Sequence, residues 1–157
     1  MSAPDANDVL DRAPVIPVAT FAETEHALPA AEGLLRGGIG IIEVTLRTPA
    51  GLAAIERIRA EIPEMLVGAG TVWGPDDWVR AEEAGAQFVV SPGAPAALVS
   101  SARLRGIPWL PGAQTPTEMY ALVEAGYRAI KFFPAASAGG IQALRAVAAV
   151  LPGVRFC

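Results

Sequence analysis

Short apolar runs alternate along the whole chain with stretches of helical period. Val15-Ile16-Pro17-Val18-Ala19 reads as a first strand. Thr20 to Glu23 fits a capping box, and Ala27, Ala30, Leu34 and Leu35 mark a helix that runs to Gly37-Gly38. Ile39 to Leu46 is a second strand. Thr48-Pro49 then caps a helix carrying Leu52, Ile55, Ile58 and Ile62, which stops near Pro63. Met65 to Thr71 is a third strand, and a helix from Asp76 to Ala84 ends at Gly85. Gln87 to Pro92 is a fourth, with a helix after Pro95 to about Arg105. Pro108 to Gly112 is a fifth. Thr115-Pro116-Thr117-Glu118 combines an N-cap, a first-turn proline and a glutamate three residues on, and its helix ends at Gly126. Ala129 to Pro134 is a sixth strand, Gly140 to Val150 a helix, and Val154 to Cys157 a seventh strand.

This is a repeated βα unit. Glu83-Ala84-Gly85-Ala86-Gln87-Phe88 and Glu124-Ala125-Gly126-Tyr127-Arg128-Ala129 resemble each other, each a helix end, a glycine, a loop and a strand. Strands apolar at nearly every position belong in parallel sheets covered by helices. No Gly-rich dinucleotide or P-loop fingerprint follows the first strand. Regular units, with polar residues gathered at the C-terminal ends of the strands, favour a closed (β/α) barrel over an open doubly wound sheet.

Composition narrows the function. Apolar residues make up 52% of the 157 positions and charged ones 18%, so much of the chain must be buried. A net charge of −4 without a basic cluster argues against nucleic acid and anionic membranes as partners. Met1 to Arg12 is polar and acidic, a tail or short first helix without the apolar core of a signal peptide. Residues 13–157 are read as the barrel domain. One cysteine, Cys157, and one histidine, His26, suggest neither a disulfide nor a metal site, and no apolar run spans a bilayer. The expectation is a soluble, cytoplasmic protein.

Lys131 is the only lysine, and it lies in the middle of the apolar sixth strand. Burial disfavours an ammonium, and the neutral amine is a nucleophile toward carbonyl carbon, so the residue is a candidate for imine chemistry. A buried ion pair or a snorkelling side chain is the plainer alternative. Glu43 stands among isoleucines and valine in the second strand, with Thr45 on its face; Arg47, Thr71 and Pro92 end or follow strands two, three and four; Phe133 shares a face with Lys131. In a parallel barrel these converge on one rim. Lys131 would condense with a 2-oxo acid, Glu43 would move protons, and Arg47 with the Thr71 hydroxyl would hold the substrate carboxylate. Singly, each residue has a structural alternative: Glu43 neutralises a cation, Arg47 faces solvent, Thr71 caps a turn, Pro92 and Phe133 shape backbone and core.

The segments Val15-Ile16-Pro17-Val18, Ile42-Glu43-Val44-Thr45-Leu46-Arg47-Thr48, Val67-Gly68-Ala69-Gly70-Thr71-Val72, Ser91-Pro92-Gly93, Pro111-Gly112, Lys131-Phe132-Phe133-Pro134-Ala135 and Val154-Arg155-Phe156-Cys157 resemble, in order, the 2-keto-3-deoxy-6-phosphogluconate and 4-hydroxy-2-oxoglutarate aldolases. The resemblance implies a (β/α)8 TIM barrel, usually a trimer, that cleaves the phosphorylated keto acid to pyruvate and glyceraldehyde 3-phosphate without a cofactor or metal. It implies that Lys131 is the Schiff-base lysine, that Glu43 is the general acid/base, that Arg47, Thr71 and Pro92 line the pyruvate site, and that Phe133 packs beside it. In that family a glycine loop, an eighth strand and closing helices follow the segment matching Val154 to Cys157, so about seven strands are expected here and the phosphate loops are missing. An open barrel edge would invite a second copy or fragment. A catalytically silent barrel keeping the pyruvate pocket, and a decarboxylase or dehydratase using the same imine, are the competing readings.

Overall fold

Period-2 alternation in the strands decides which side chains enter the barrel and which meet the helices. The computed structural model describes residues 6–157; Met1 to Asp5, part of the segment read as a tail, lie outside them. From Asn7 on, that segment is a helix, α1 (Asn7–Arg12). The barrel order follows as β1 (Val18–Ala19), α2 (Ala27–Arg36), β2 (Ile41–Thr45), α3 (Ala50–Glu61), β3 (Leu66–Gly70), α4 (Pro75–Glu83), β4 (Phe88–Val90) and α5 (Ala96–Ala102). It continues with β5 (Trp109–Leu110), β6 (Gly112–Ala113), α6 (Pro116–Glu124), β7 (Ala129–Phe132), α7 (Gly140–Ala148) and β8 (Arg155–Phe156).

All pairings are parallel: β1-β2-β3-β4-β5 form one sheet and β6-β7-β8 another. The fifth strand, expected as one piece over 108–112, is two. Pro111 lacks an N–H and cannot continue the ladder. The half before it pairs with β4 and the half after it with β7. Eight segments thus occupy seven staves. Among the described residues β1 pairs only with β2 and β8 only with β7.

Two apolar layers result. Ile42, Val44, Val67, Ala69, Val89 and Ile130 point outward and pack with Ile55, Ile58, Trp78, Leu98 and Met119 of the helices. Inside, Ile41, Phe88, Val90, Leu110 and Ala129 pack with Ala6 and Val9, so α1 stoppers the barrel interior at one end. The Arg155–Asp11 ion pair at 2.8 Å ties α1 to β8.

The two similar segments fold alike. Gly85 and Gly126 have φ of 85° and 101°. Beside them Ala86 N–H donates to Ala81 and Tyr127 N–H to Leu122, each closing a helix with a left-handed glycine cap. The Thr115 box also forms, with Thr115 Oγ1 accepting from Glu118 N–H and Glu118 accepting from Thr115 N–H. The two other expected caps do not. Helix α2 begins at Ala27 after a 3-10 turn, and the Thr20 hydroxyl pairs with Thr45 Oγ1 at 2.8 Å. Thr48 donates to the Phe21 carbonyl at 2.6 Å and leaves α3 uncapped by a side chain.

Candidate active site

Lys131 in β7 and Glu43 in β2 lie on inward positions of strands on opposite sides of the barrel, and their side chains meet. Lys131 Nζ stands 3.5 Å from Glu43 Oε1, a long charge-assisted hydrogen bond. The Glu43 side chain is 6% exposed and that of Lys131 19%, so the pair is shielded but reachable. Desolvation raises the Glu43 pKa above 4.5, while Lys131 and, more weakly, Arg47 pull it back. The carboxyl is therefore able to carry a proton under milder conditions than an exposed glutamate.

Space for this carboxylate comes from β3. A Cβ on Gly70 would lie 2.1 Å from Glu43 Oε1, and one on Gly68 would strike the Phe88 ring at 2.3 Å. Both glycines face the interior, and bare backbone is what admits the larger side chains. Sequence reasoning had singled out neither. The signal was present as glycine at alternate positions of an apolar strand.

Arg47 follows β2 and is exposed; its Nε donates to Thr71 Oγ1 at 3.1 Å. Thr71 follows β3 with φ of 62°, the left-handed region that a β-branched residue rarely enters. Together they set two donors at the C-terminal rim. Pro92 and Phe133 follow β4 and β7 at the same end. The Phe133 ring centroid is 5.3 Å from Lys131 Nζ.

The six residues do not line one cavity. A space of about 350 Å³ is bounded by Glu43, Lys131, Leu110, Ile16 and Cys157. A larger one of about 750 Å³, between α5 and α6, includes Pro92 and Phe133 but neither Lys131 nor Glu43. Only beside the smaller space do a nucleophile and a proton carrier stand together. Arg47 and Thr71 border neither. Cys157, which sequence reasoning treated only as an unpaired thiol, brackets Lys131 through the β8 ladder: Phe132 N–H donates to its carbonyl, and its own N–H donates to Ile130. Among the described residues no three His, Cys, Asp or Glu side chains cluster to hold a metal ion, and no helix is long and apolar enough to cross a membrane.

Comparison with known proteins shows the family. The family model of KDPG and KHG aldolase matches residues 6–157. The KHG/KDPG aldolase of Escherichia coli (strain K12) is 43% identical over 152 residues, covering 97% of this chain and 71% of that protein. The crystal structure of KDPG aldolase from Legionella pneumophila, with pyruvate captured as a covalent carbinolamine, superposes with a TM-score of 0.92 at 44% identity. It covers 95% of this chain and 72% of its own. The 2-keto-3-deoxy-6-phosphogluconate aldolase of Zymomonas mobilis ATCC 29191 gives 0.93 at 42%, over 98% and 74%. The protein is an aldolase, a carbon–carbon lyase on a parallel (β/α) barrel. It belongs to the KDPG and KHG aldolase family.

Proposed function

We propose that this aldolase cleaves 2-keto-3-deoxy-6-phosphogluconate to pyruvate and glyceraldehyde 3-phosphate through an imine on Lys131. The observation that carries the reading is the meeting, inside the barrel, of the single lysine with a buried carboxylate at 3.5 Å. The carbinolamine in the Legionella relative is the first covalent intermediate such a site would form.

In this mechanism the Lys131 amine attacks the keto carbon, and loss of water from the carbinolamine leaves a protonated imine. That cation accepts the electron pair of the bond to the next carbon but one. The hydroxyl on the departing carbon gives its proton to Glu43, and the aldehyde leaves. Glu43 then returns a proton to the enamine carbon, and water releases pyruvate. One carboxyl serves as base and acid in turn, so a pKa raised by burial suits it to both steps. The Arg47 guanidinium and Thr71 hydroxyl, already hydrogen-bonded to each other, hold the substrate carboxylate. Pro92 and Phe133 restrict its approach. The same reading carries a homotrimer, and light scattering of the full protein giving a monomer would remove that part.

The test is pyruvate release from the phosphorylated keto acid and from 4-hydroxy-2-oxoglutarate, coupled to lactate dehydrogenase. Wild type should release pyruvate from both. Lys131→Met should lose at least about a thousandfold in kcat. Turnover retained in that variant would overturn the proposal.

A further inference from the structure

The inward face of β2 carries a hydroxyl that the proposed mechanism does not use. Glu43, Thr45 and Arg47 stand at alternate positions, so they share one face of the strand and of the turn that extends it. At about 3.3 Å of rise per residue, roughly 7 Å separates each from the next. The proton carrier comes first and the guanidinium last, with the Thr45 hydroxyl between them. A 2-oxo acid whose keto carbon meets Lys131 and whose carboxylate meets Arg47 lies alongside Thr45.

Thr45 is fully buried, although threonine is mostly a surface residue. Its Oγ1 is 2.8 Å from Thr20 Oγ1. Thr20 follows β1 at the position facing Thr45, since Val18 pairs with Glu43 and Ala19 with Val44. Either hydroxyl can donate. With Thr20 donating, the Thr45 proton is free to turn into the barrel. The Glu43 carboxylate leans toward the same rung of the sheet. Thr45 pairs across the ladder with Gly70, and a Cβ on Gly70 would lie 2.1 Å from Glu43 Oε1. One strand spacing, about 4.8 Å, thus separates the carboxylate's place from that of Thr45. A gap of that order admits one oxygen atom hydrogen-bonded to both groups.

We propose that Thr45 is a further catalytic residue, which holds the departing oxygen of the carbinolamine, and that Thr20 positions its hydroxyl. The inference rests on the Lys131 imine reading. Once Lys131 has attacked the keto carbon, that carbon carries a hydroxyl group. The Thr45 O–H donates a hydrogen bond to its oxygen and turns it toward Glu43. Glu43 gives the oxygen a proton, the carbon–oxygen bond breaks with its electron pair going to oxygen, and water leaves. The nitrogen lone pair closes the protonated imine. Hydrolysis of the product imine uses the same contacts in reverse. No co-reactant is consumed.

The experiment follows trapping of pyruvate by the full protein with borohydride in excess, read by intact mass against time over a range of pyruvate concentrations. Thr45→Val keeps the shape of the side chain and removes the hydroxyl. Its saturating trapping rate should fall about tenfold, the scale of one hydrogen bond. The half-saturating pyruvate concentration should stay within about twofold of wild type, since binding is not what the hydroxyl supplies. Thr45→Ser should restore most of the rate. Thr20→Val, at an exposed position, should slow trapping about threefold, because the Thr45 hydroxyl then loses its partner. A pair that only ties β1 to β2 would lower Tm in both valine variants and leave the saturating rate at the wild-type value. That result refutes the role of Thr45 and leaves the imine reading standing. If Thr45→Val does not fold, Thr20→Val decides: slowed trapping supports the proposal and a wild-type rate refutes it. If wild type traps no pyruvate, the imine reading falls and takes the proposal with it.

Discussion

Gly70→Ala adds a single methyl group, and the structure says what it would strike. The new Cβ would lie 2.1 Å from Glu43 Oε1, 2.6 Å from its Cγ and 2.7 Å from its Cδ. Ordinary contact begins near ~3.5 Å, so the carboxylate must retreat by more than about 1 Å. Gly70 sits in β3 with no positive φ, so alanine suits the backbone and the whole effect falls on Glu43. Overpacking of this kind costs about 1–3 kcal/mol. For a chain of this length that is a drop of roughly 2–12 °C in Tm. A displacement of about 1 Å at a reacting group lowers turnover on the order of a hundredfold. Steady-state pyruvate release gives kcat, and a thermal melt gives the stability loss. A parallel Gly106→Ala variant, whose Cβ meets nothing within 4 Å, should match wild type in both. If Gly70→Ala kept wild-type kcat and Tm, Glu43 would not occupy this position in the working enzyme, and its pairing with Lys131 would be refuted.

The remaining expectations concern single groups. The Glu43 pKa is raised, so between 4.5 and its folded-state value the folded chain holds a proton that the unfolded chain has lost. That contribution to stability therefore falls as pH rises through the window. Urea titrations at several pH values should show wild type losing stability relative to Glu43→Gln in that direction, and an opposite trend would contradict the assignment. Thr71→Gly relieves a left-handed backbone worth about 1–2 kcal/mol but removes the Arg47 partner. Its Tm should hold or rise while KM for the keto acid increases about tenfold; a large fall in Tm would contradict the strain argument. Thr115→Ala should lose about 1 kcal/mol with the capping box and leave kcat untouched, measured by melt and turnover.

Local chemistry was readable and long-range space was not. Lys131 and Glu43 stood out because each breaks an apolar strand, and period-2 alternation put both inside. The Thr115 box was readable because all its donors and acceptors lie within four residues. The box expected at Thr20 failed because a partner 25 residues away, Thr45, takes its hydroxyl. The division of strand five needed only Pro111, a signal that the apolar run around it masked. The role of Gly70 depends on the lean of a side chain from the next strand. The separation of Pro92 and Phe133 from Glu43 and Lys131 into two cavities, with Arg47 and Thr71 on neither, depends on how α5 and α6 pack over the loops. No spacing within one strand encodes either.

A covalent bond between pyruvate and one amine is the centre of the proposed mechanism. Borohydride reduction of the full protein with pyruvate, followed by peptide mass spectrometry, reads that bond directly. A reduced pyruvyl group on the peptide holding Lys131, absent from Lys131→Arg, is the predicted result. An unmodified Lys131 peptide from an enzyme that still releases pyruvate would contradict it.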